Sequence, residues 1–464
     1  MRRGLYVRIP LFFALPFRVT VFDMSHTDLM SEAAAVDVSL GSWGELVMAD
    51  RVHRSLYTDP AVFAAEMRTV FARTWLYVAH ESQIPEPNSF VTTTLGGRPV
   101  IVTRDKEGAI HVLFNRCAHR GATVCREESG VARRFVCPYH GWTFRNTGEL
   151  TGVPWQHGYG PGFDMGGLGL GVIPRVESYR GFVFASLNRD VPLIADHLGN
   201  ARSWLDYWID RAPNGEVYLR SAAHRMAYQG NWKLAYDNAG DGYHPAFSHR
   251  SLLTMAGRLG QSKDMAYFGQ TPDDGPMRVH YLGNGHSVID QTPNYPEPGD
   301  IFRNQRPQPG REWYEQRIRS AHPDDAERLL DLTAGSQINL SIFPNLLIIG
   351  NQVQVIEPDA VDHTTLVWWA TTIGGVPDEV NVLRMRTQED FPAFGEPDDQ
   401  ANFEEAQRGL SVESEPWILM NRGYGIAGRQ VENPDGSVTA PVTDEVHMRG
   451  YYSEWLRLMQ EGPK

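Results

Sequence analysis

Apolar positions first recur at helical spacing between Asp59 and Tyr77, where Phe63, Met67, Val70, Phe71 and Trp75 follow an Asp-Pro start. Proline suits the first turn of a helix and this spacing places the five side chains on one face, so the pattern predicts an amphipathic helix. The period then changes. Runs rich in β-branched and aromatic residues, VIVTRD, AIHVLFNRC, RFVCPYHGWTFR and GFVFASLN, are broken by Gly, Asn and Asp, which predicts a small antiparallel β unit over residues 75–190. From 191 to 464 helices predicted at Asn231–His244, Asp399–Leu410 and Glu445–Gln460 accompany strands NLLIIG, QVQVIEP and HTTLVWWATT. The last two, joined by Pro-Asp-Ala-Val-Asp, read as a hairpin on an antiparallel sheet. Residues 262–325 are rich in Pro, Gly, Gln and Asn and lack a period, which predicts a long irregular lid or substrate-binding loop.

Length and charge narrow the picture. A chain of 464 residues with 42% hydrophobic and 11% aromatic content can build two domains with real cores. Its net charge of -13 disfavours nucleic acid as a partner. Residues 101–150 run the other way, with eight Arg and Lys against five Asp and Glu, a balance suited to an acidic protein partner. The first 23 residues pair a basic start with an apolar stretch, Ile9–Phe17, but Arg8, Pro10, Pro16 and Arg18 interrupt it below membrane-spanning length. We therefore expect no membrane association, Met24 as the working start, and residues 1–40 as a disordered leader or start-site artefact. Residues 41–74 are expected to be a helical part of the larger domain.

The candidate chemistry is concentrated in two places. Cys117 and His119, then Cys137 and His140 after a seventeen-residue gap, use two of only three cysteines in a C-x-H…C-x-x-H pattern. Two thiolates and two imidazoles can hold a [2Fe–2S] cluster of raised potential, one iron on sulfur and the other on nitrogen. Structural zinc uses the same residue types, yet groups cysteines with cysteines and histidines with histidines, whereas each loop here supplies one of each. The leftover Cys125 cannot form an internal disulfide, which fits a reducing, cytoplasmic setting and a role as core filler. GGLGLG at Gly166–Gly171 has Val172 where a dinucleotide fingerprint needs its third glycine, so the chain shows no sign of binding NAD itself.

The second concentration is NWKLAYDNAGDGYHPAFSHRSLL, Asn231–Leu253. Asp237, Asp241 and His244 fall at i, i+4 and i+7, one face of a continuous helix. His249 would point elsewhere, but Pro245 disfavours the α conformation at His244, and a kink there could turn both imidazoles to one point. Two histidines and a carboxylate make the facial set of non-haem Fe(II) oxygenases. A lone electron carrier would need no such second motif.

RCAHRG at Arg116–Gly121 and CPYHGW at Cys137–Trp142 resemble both ligand loops of the Rieske family. Together with D-x3-D-x2-H-x4-H, the chain from about residue 40 resembles the large (α) subunit of the Rieske non-haem iron ring-hydroxylating oxygenases. That resemblance implies an α+β fold: a small antiparallel β Rieske domain inserted in a helix-grip (START-like) catalytic domain with an antiparallel sheet. It implies Cys117 and Cys137 on the inner iron, His119 and His140 on the outer iron, and His244 and His249 on a mononuclear Fe(II). Asp241 resembles the carboxylate that links a cluster histidine of a neighbouring subunit to an iron histidine, and Asn238 a pocket asparagine. Asp237 stands where many relatives have Glu. GEPDDQANFEEAQRGL resembles the segment supplying the third ligand, Asp399 or its neighbour Asp398, with Asp399 the expected ligand and the other acid capping the helix, and with Phe403, Ala406 and Leu410 packed inward. The expected activity is cis-dihydroxylation of an aromatic substrate by O2, an aromatic carboxylic acid of the benzoate, phthalate or salicylate kind. A monooxygenase with the same ligands is the alternative. Expected partners are a reductase, in some systems a ferredoxin, and a small β subunit in an α3β3 assembly. An aromatic acid calls for a cation in its pocket, and the sequence names none; pocket walls are expected near Ile342–Gln352, with Asn345, Leu347 and Gln352 as lining.

Overall fold

A computed structural model of the chain describes residues 43–251, 275–303, 310–390 and 395–462, so the expected leader lies outside the described residues. Asp59 is extended (φ -91°, ψ 117°) and its carboxylate accepts the Ala61 N–H at 2.8 Å, which starts α1 (Pro60–Arg68) where the sequence indicates. The helix stops sooner than expected. Thr69 and Thr74 turn their hydroxyls onto the carbonyls of Ala65 and Val70, bracketing a short second helix, Val70–Arg73. Leu76 and Tyr77, read as the helix end, instead open a strand, Leu76–His80, buried along its whole length beside Phe182–Ser186.

The cysteines sit among short strands. Ser89–Leu95, Arg98–Arg104, Ile110–Phe114 and Ser129–Val131 form one antiparallel sheet; Arg134–Val136, Thr143–Arg145 and Leu150–Gly152 form another. Phe90, Ile101, Leu113, Phe135, Phe144 and Leu150 pack around Cys117, Cys125 and Cys137, so both ligand loops are anchored in one core. Cys125 is core filler, as expected.

Further helices in chain order are α2 (Ala201–Asp210), α3 (Trp232–Ala239), α4 (Pro245–Ser248), α5 (Glu396–Gly409) and α6 (Val446–Glu461). They surround a nine-stranded antiparallel sheet built from β1 (His224–Tyr228), β2 (Arg278–Gly283), β3 (His286–Asp290), β4 (Ile338–Ile342), β5 (Leu346–Ile349), β6 (Gln352–Ala360), β7 (His363–Ala370), β8 (Val431–Glu432) and β9 (Val438–Pro441). The spatial order is β1-β7-β6-β5-β4-β3-β2-β9-β8, and β6–β7 is the expected hairpin.

Two strands come from the segment expected to be irregular. Gly283, Asn284 and Gly285 all have positive φ (87°, 51° and 80°), so residues that look like loop composition make the tight turn between β2 and β3. Arg311–Ala321 is helical as well. Residues 262–274 lie outside the described residues.

Alternation along the strands separates two faces. Ile338, Leu340, Ile342, Leu346, Ile348, Val353, Val355 and Val367 face α2, whose Leu205, Trp208 and Ile209 complete that core. On the opposite face Phe403 of α5 packs on Tyr228 with ring centroids 5.0 Å apart, and α3 lies across β4 and β6. The α6 helix crosses β2 closely at Gly450, where a Cβ would come within 2.2 Å of the Tyr281 ring. No helix among the described residues is long and apolar enough to cross a membrane.

Candidate metal centres

The two cysteine loops are built alike. The Cys117 N–H donates to the Ala122 carbonyl at 2.8 Å and the Gly121 N–H to the Cys117 carbonyl at 2.9 Å; the Cys137 N–H donates to Trp142 at 2.8 Å and Gly141 to Cys137 at 2.9 Å. Each return needs a left-handed residue, supplied by Gly121 (φ 74°) and Gly141 (φ 71°). Both cysteines are buried, while His119 and His140 are half-exposed with rings 4.5 Å apart. His119 stacks on Trp142 at 4.9 Å and Tyr139 leans on His140 at 3.9 Å, which fixes both ring planes. The Nδ1 atoms of both histidines are buried with no hydrogen-bond partner. Buried ring nitrogens are normally satisfied, so two orphaned ones beside two thiols fit a bound cluster. Burial, aided by His140, also holds the His119 imidazole below its usual pKa, favouring the neutral form a ligand needs. Six arginines of the same region, Arg116, Arg120, Arg126, Arg133, Arg134 and Arg145, are exposed.

The second centre departs from the continuous-helix reading. Asn231 caps α3 by accepting the Lys233 N–H, and the helix ends at Ala239. A Cβ on Gly240 would meet the His447 ring at 2.3 Å and one on Gly242 would meet Val442 at 2.3 Å. The chain therefore breaks at Gly240 to squeeze past the start of α6, and Asp237, Asp241 and His244 do not share a helix face. His244 also adopts the α conformation (φ -64°, ψ -33°) before Pro245, against the expected preference, because it begins α4. This four-residue helix separates His244 from His249 and brings their rings to 5.4 Å.

Asp399 completes the set. Its Oδ1 lies 3.5 Å from His244 Nε2 and 3.4 Å from His249 Nε2, with its side chain only 4% exposed. Ligand atoms of His244, His249 and Asp399 all fall within 4.8 Å of one another, a spacing one metal ion can bridge. Asp399 Oδ1 has no hydrogen-bond partner, again a sign of a donor set built for a metal. Burial raises the Asp399 pKa although both histidines and the amide of Asn238 favour its charged form. Asp398 does not cap the helix, which begins at Glu396; its Oδ2 is 3.5 Å from His249 Nδ1. Phe403 is buried and Leu410 half-buried, but Ala406 is exposed, since α5 turns only a narrow stripe inward.

Asp241 sits on the far side of His244, Oδ2 to Nδ1 at 3.5 Å, and accepts the Tyr243 N–H at 2.6 Å. Burial opposes its charge, yet the contact with His244 outweighs it and holds the carboxyl below its usual range. His244 is raised in return: burial works against its cation, and Asp241 and Asp399 overcome that.

Asp237 points into the protein instead. The Tyr57 hydroxyl donates to it at 2.7 Å, the Tyr451 hydroxyl donates to its other oxygen, and burial pushes it up to about 7. Next to it, Glu66 and Lys233 form a fully buried ion pair at 2.7 Å, and the indole N–H groups of Trp232 and Trp455 both donate to Glu66. The sequence carried no signal for these partners: Tyr57 comes from the short helix Ser55–Thr58, Glu66 from α1, and Tyr451 and Trp455 from α6. Asn345, expected in the pocket, clasps the Tyr77 backbone with hydrogen bonds of 3.0 Å to its N–H and carbonyl.

A site of two thiols with two imidazoles, and another of two imidazoles with a carboxylate, define a Rieske-type non-haem iron oxygenase. Residues 74–177 match the Rieske [2Fe-2S] domain and residues 216–461 the ring hydroxylating alpha subunit (catalytic domain). The chain belongs to this alpha-subunit family, and its cofactors are a [2Fe–2S] cluster and a mononuclear iron. It is 33% identical over 401 residues to the 2-halobenzoate 1,2-dioxygenase large subunit of Burkholderia cepacia, covering 83% of this chain and 82% of that one. It is 34% identical over 379 residues to the toluate 1,2-dioxygenase subunit alpha of Pseudomonas putida, covering 78% and 79%. Among solved structures, naphthalene 1,2-dioxygenase with indole in the active site superposes with a TM-score of 0.74 at 28% identity, covering 89% of this chain and 93% of that one.

Proposed function

We propose that this chain is the large subunit of a terminal oxygenase that adds both atoms of O2 to an aromatic carboxylic acid as a cis-diol. The observation carrying the reading is the convergence of His244, His249 and Asp399 in a chain that also holds a cluster site, joined to relatives named for benzoate-type acids. Electrons would come from NADH through a separate reductase, with a ferredoxin where one is used, and a small β subunit would complete an α3β3 assembly in the cytoplasm.

In this reading Cys117 and Cys137 would hold the inner iron of the cluster, His119 and His140 the outer iron, and His244, His249 and Asp399 the mononuclear iron. When bound, these groups supply one-electron transfer and oxygen chemistry. The residues of the chain do the rest. Gly240 and Gly242 let the strap between α3 and α4 bend so that both imidazoles face Asp399. Asn238 orients that carboxylate, and Asp241 fixes the ring of His244 from behind. Asp241, 18% exposed, is also the group through which a cluster histidine of a neighbouring copy would be joined to His244.

Turnover of benzoate, 2-chlorobenzoate, toluene and naphthalene with NADH and a surrogate reductase tests the reading. The acids are expected to give cis-diols at much higher kcat/KM than the hydrocarbons. The reverse preference would overturn the acid assignment.

A further inference from the structure

The C-terminal helix α6 grips the end of α3 through one residue, Asp237. His447 and Tyr451 stand at i and i+4 on α6, one turn apart on a single face. The Tyr451 hydroxyl donates to the Asp237 carboxylate, and His447 Nε2 donates to the Asp237 carbonyl at 3.0 Å. A carbonyl can only accept, so Nε2 carries the ring proton. The ring is 2% exposed, and burial holds its pKa below the usual value against the pull of the Asp241 carboxylate, which keeps this neutral form.

The imidazole replaces a donor that the helix would otherwise supply. In a continuous helix the Asp237 carbonyl accepts the N–H four residues later, that of Asp241. Here the Asp241 N–H turns to the Asn238 carbonyl at 3.1 Å, and His447 takes the vacated acceptor. Its Cδ2 lies where a Cβ on Gly240 would approach to 2.3 Å, so the ring occupies the path of the next turn. A side chain inserted into the hydrogen-bond ladder breaks a helix in this way. The break decides where the two acids point. On an unbroken helix Asp241 would lie one turn beyond Asp237 on the same face, toward Tyr57 and Tyr451. Instead Asp237 stays among the tyrosines, while Asp241 Oδ2 lies 3.5 Å from His244 Nδ1.

We infer that His447 is a positioning residue for electron transfer: by standing in for the Asp241 N–H on the Asp237 carbonyl, it directs the Asp241 carboxylate to the back of His244. The inference rests on the reading in which Asp241 joins the cluster of a neighbouring copy to the iron, and deepens it by naming what aims that carboxylate. His447 acts through the backbone of Asp237, so a side chain with a donor at the same reach should serve in its place.

The test compares His447→Gln, whose amide N–H reaches as far as Nε2, with His447→Asn, whose amide stops at the position of Nδ1. The two differ by one methylene, and thermal midpoints, the cluster spectrum and iron content report whether each is folded and loaded. Hydrogen–deuterium exchange of the purified oxygenase follows the peptide covering residues 237–244. Single-turnover stopped-flow absorbance follows oxidation of the reduced cluster with O2 and whichever of the four aromatic compounds above is turned over fastest. His447→Asn is expected to raise exchange in that peptide and slow cluster oxidation about 10–100-fold, the usual cost of losing an orienting group, with substrate affinity unchanged. His447→Gln is expected to restore both. If the asparagine variant does not fold, His447→Leu supplies the donor-free comparison. A wild-type rate of cluster oxidation in the folded donor-free variant, beside a slow Asp241→Asn, overturns the inference and leaves the electron path standing. An equal defect in the glutamine variant also overturns it, since the ring would then act by packing alone. Cluster oxidation at the wild-type rate in Asp241→Asn overturns the electron path and the inference with it.

Discussion

Lys233→Met should unfold the catalytic domain far more easily than a typical single substitution. Lys233 and Glu66 are both 0% exposed and 2.7 Å apart. At that separation and an effective dielectric of about 20, their attraction is on the order of 6 kcal/mol, much of it offset by the desolvation of both charges. The indoles of Trp232 and Trp455 donate to Glu66, so its carboxylate stays poised as an anion when the lysine is gone. Removing one partner of such a pair costs about 3–5 kcal/mol, a large part of a domain's stability. Glu66→Gln in the same chain removes the stranded charge and still offers an oxygen to the indoles, so the double variant should recover most of the loss. Urea unfolding followed by tryptophan fluorescence reads this out, since two of the reporting indoles touch the pair. A cost below about 1 kcal/mol for Lys233→Met, or a double variant no more stable than the sum of the singles, would refute the reasoning. Because Lys233 lies in the first turn of α3, iron retention at the site beyond its end should fall with stability.

Asp399→Ala should release the mononuclear iron while the cluster absorption persists, as metal analysis and visible spectra would show. Asp241→Asn should keep both metals and cut turnover by about 10–100-fold, the usual loss when a group that orients a ligand is removed; full activity would remove Asp241 from the electron path. Burial pushes the Cys125 thiol up to about 11, so its reactive thiolate forms only as pH approaches that value. Alkylation of Cys125 by iodoacetamide, followed by mass spectrometry, should therefore be negligible at pH 8 in the folded protein and rise steeply on unfolding.

Much of the site was legible because its chemistry is local in sequence. Cys117, His119, Cys137 and His140 sit in two short loops, and each loop carries the glycine its backbone return requires. The His244 and His249 pair was legible for the same reason, and Asp399 through the helix that begins at Glu396. What was not legible depends on contacts remote along the chain. The helix through Asp237 and His244 had to break because Gly240 and Gly242 press against His447 and Val442, two hundred residues later in the sequence. Asp237 looked like a site acid by spacing, but Tyr57 and Tyr451 turn it inward. The strands β2 and β3 were hidden by the composition of their own turn, where Gly and Asn serve a tight hairpin rather than a loose loop.

The central claim, that the two metal centres of this chain act together to dihydroxylate an aromatic acid, is tested most directly by turning over benzoate under 18O2 with NADH and a surrogate reductase. Mass spectrometry of the product should show a cis-diol in which both new oxygens are labelled. A product with a single labelled hydroxyl would contradict dioxygenation, and oxygen consumption without any oxygenated acid would contradict the assignment of the substrate class.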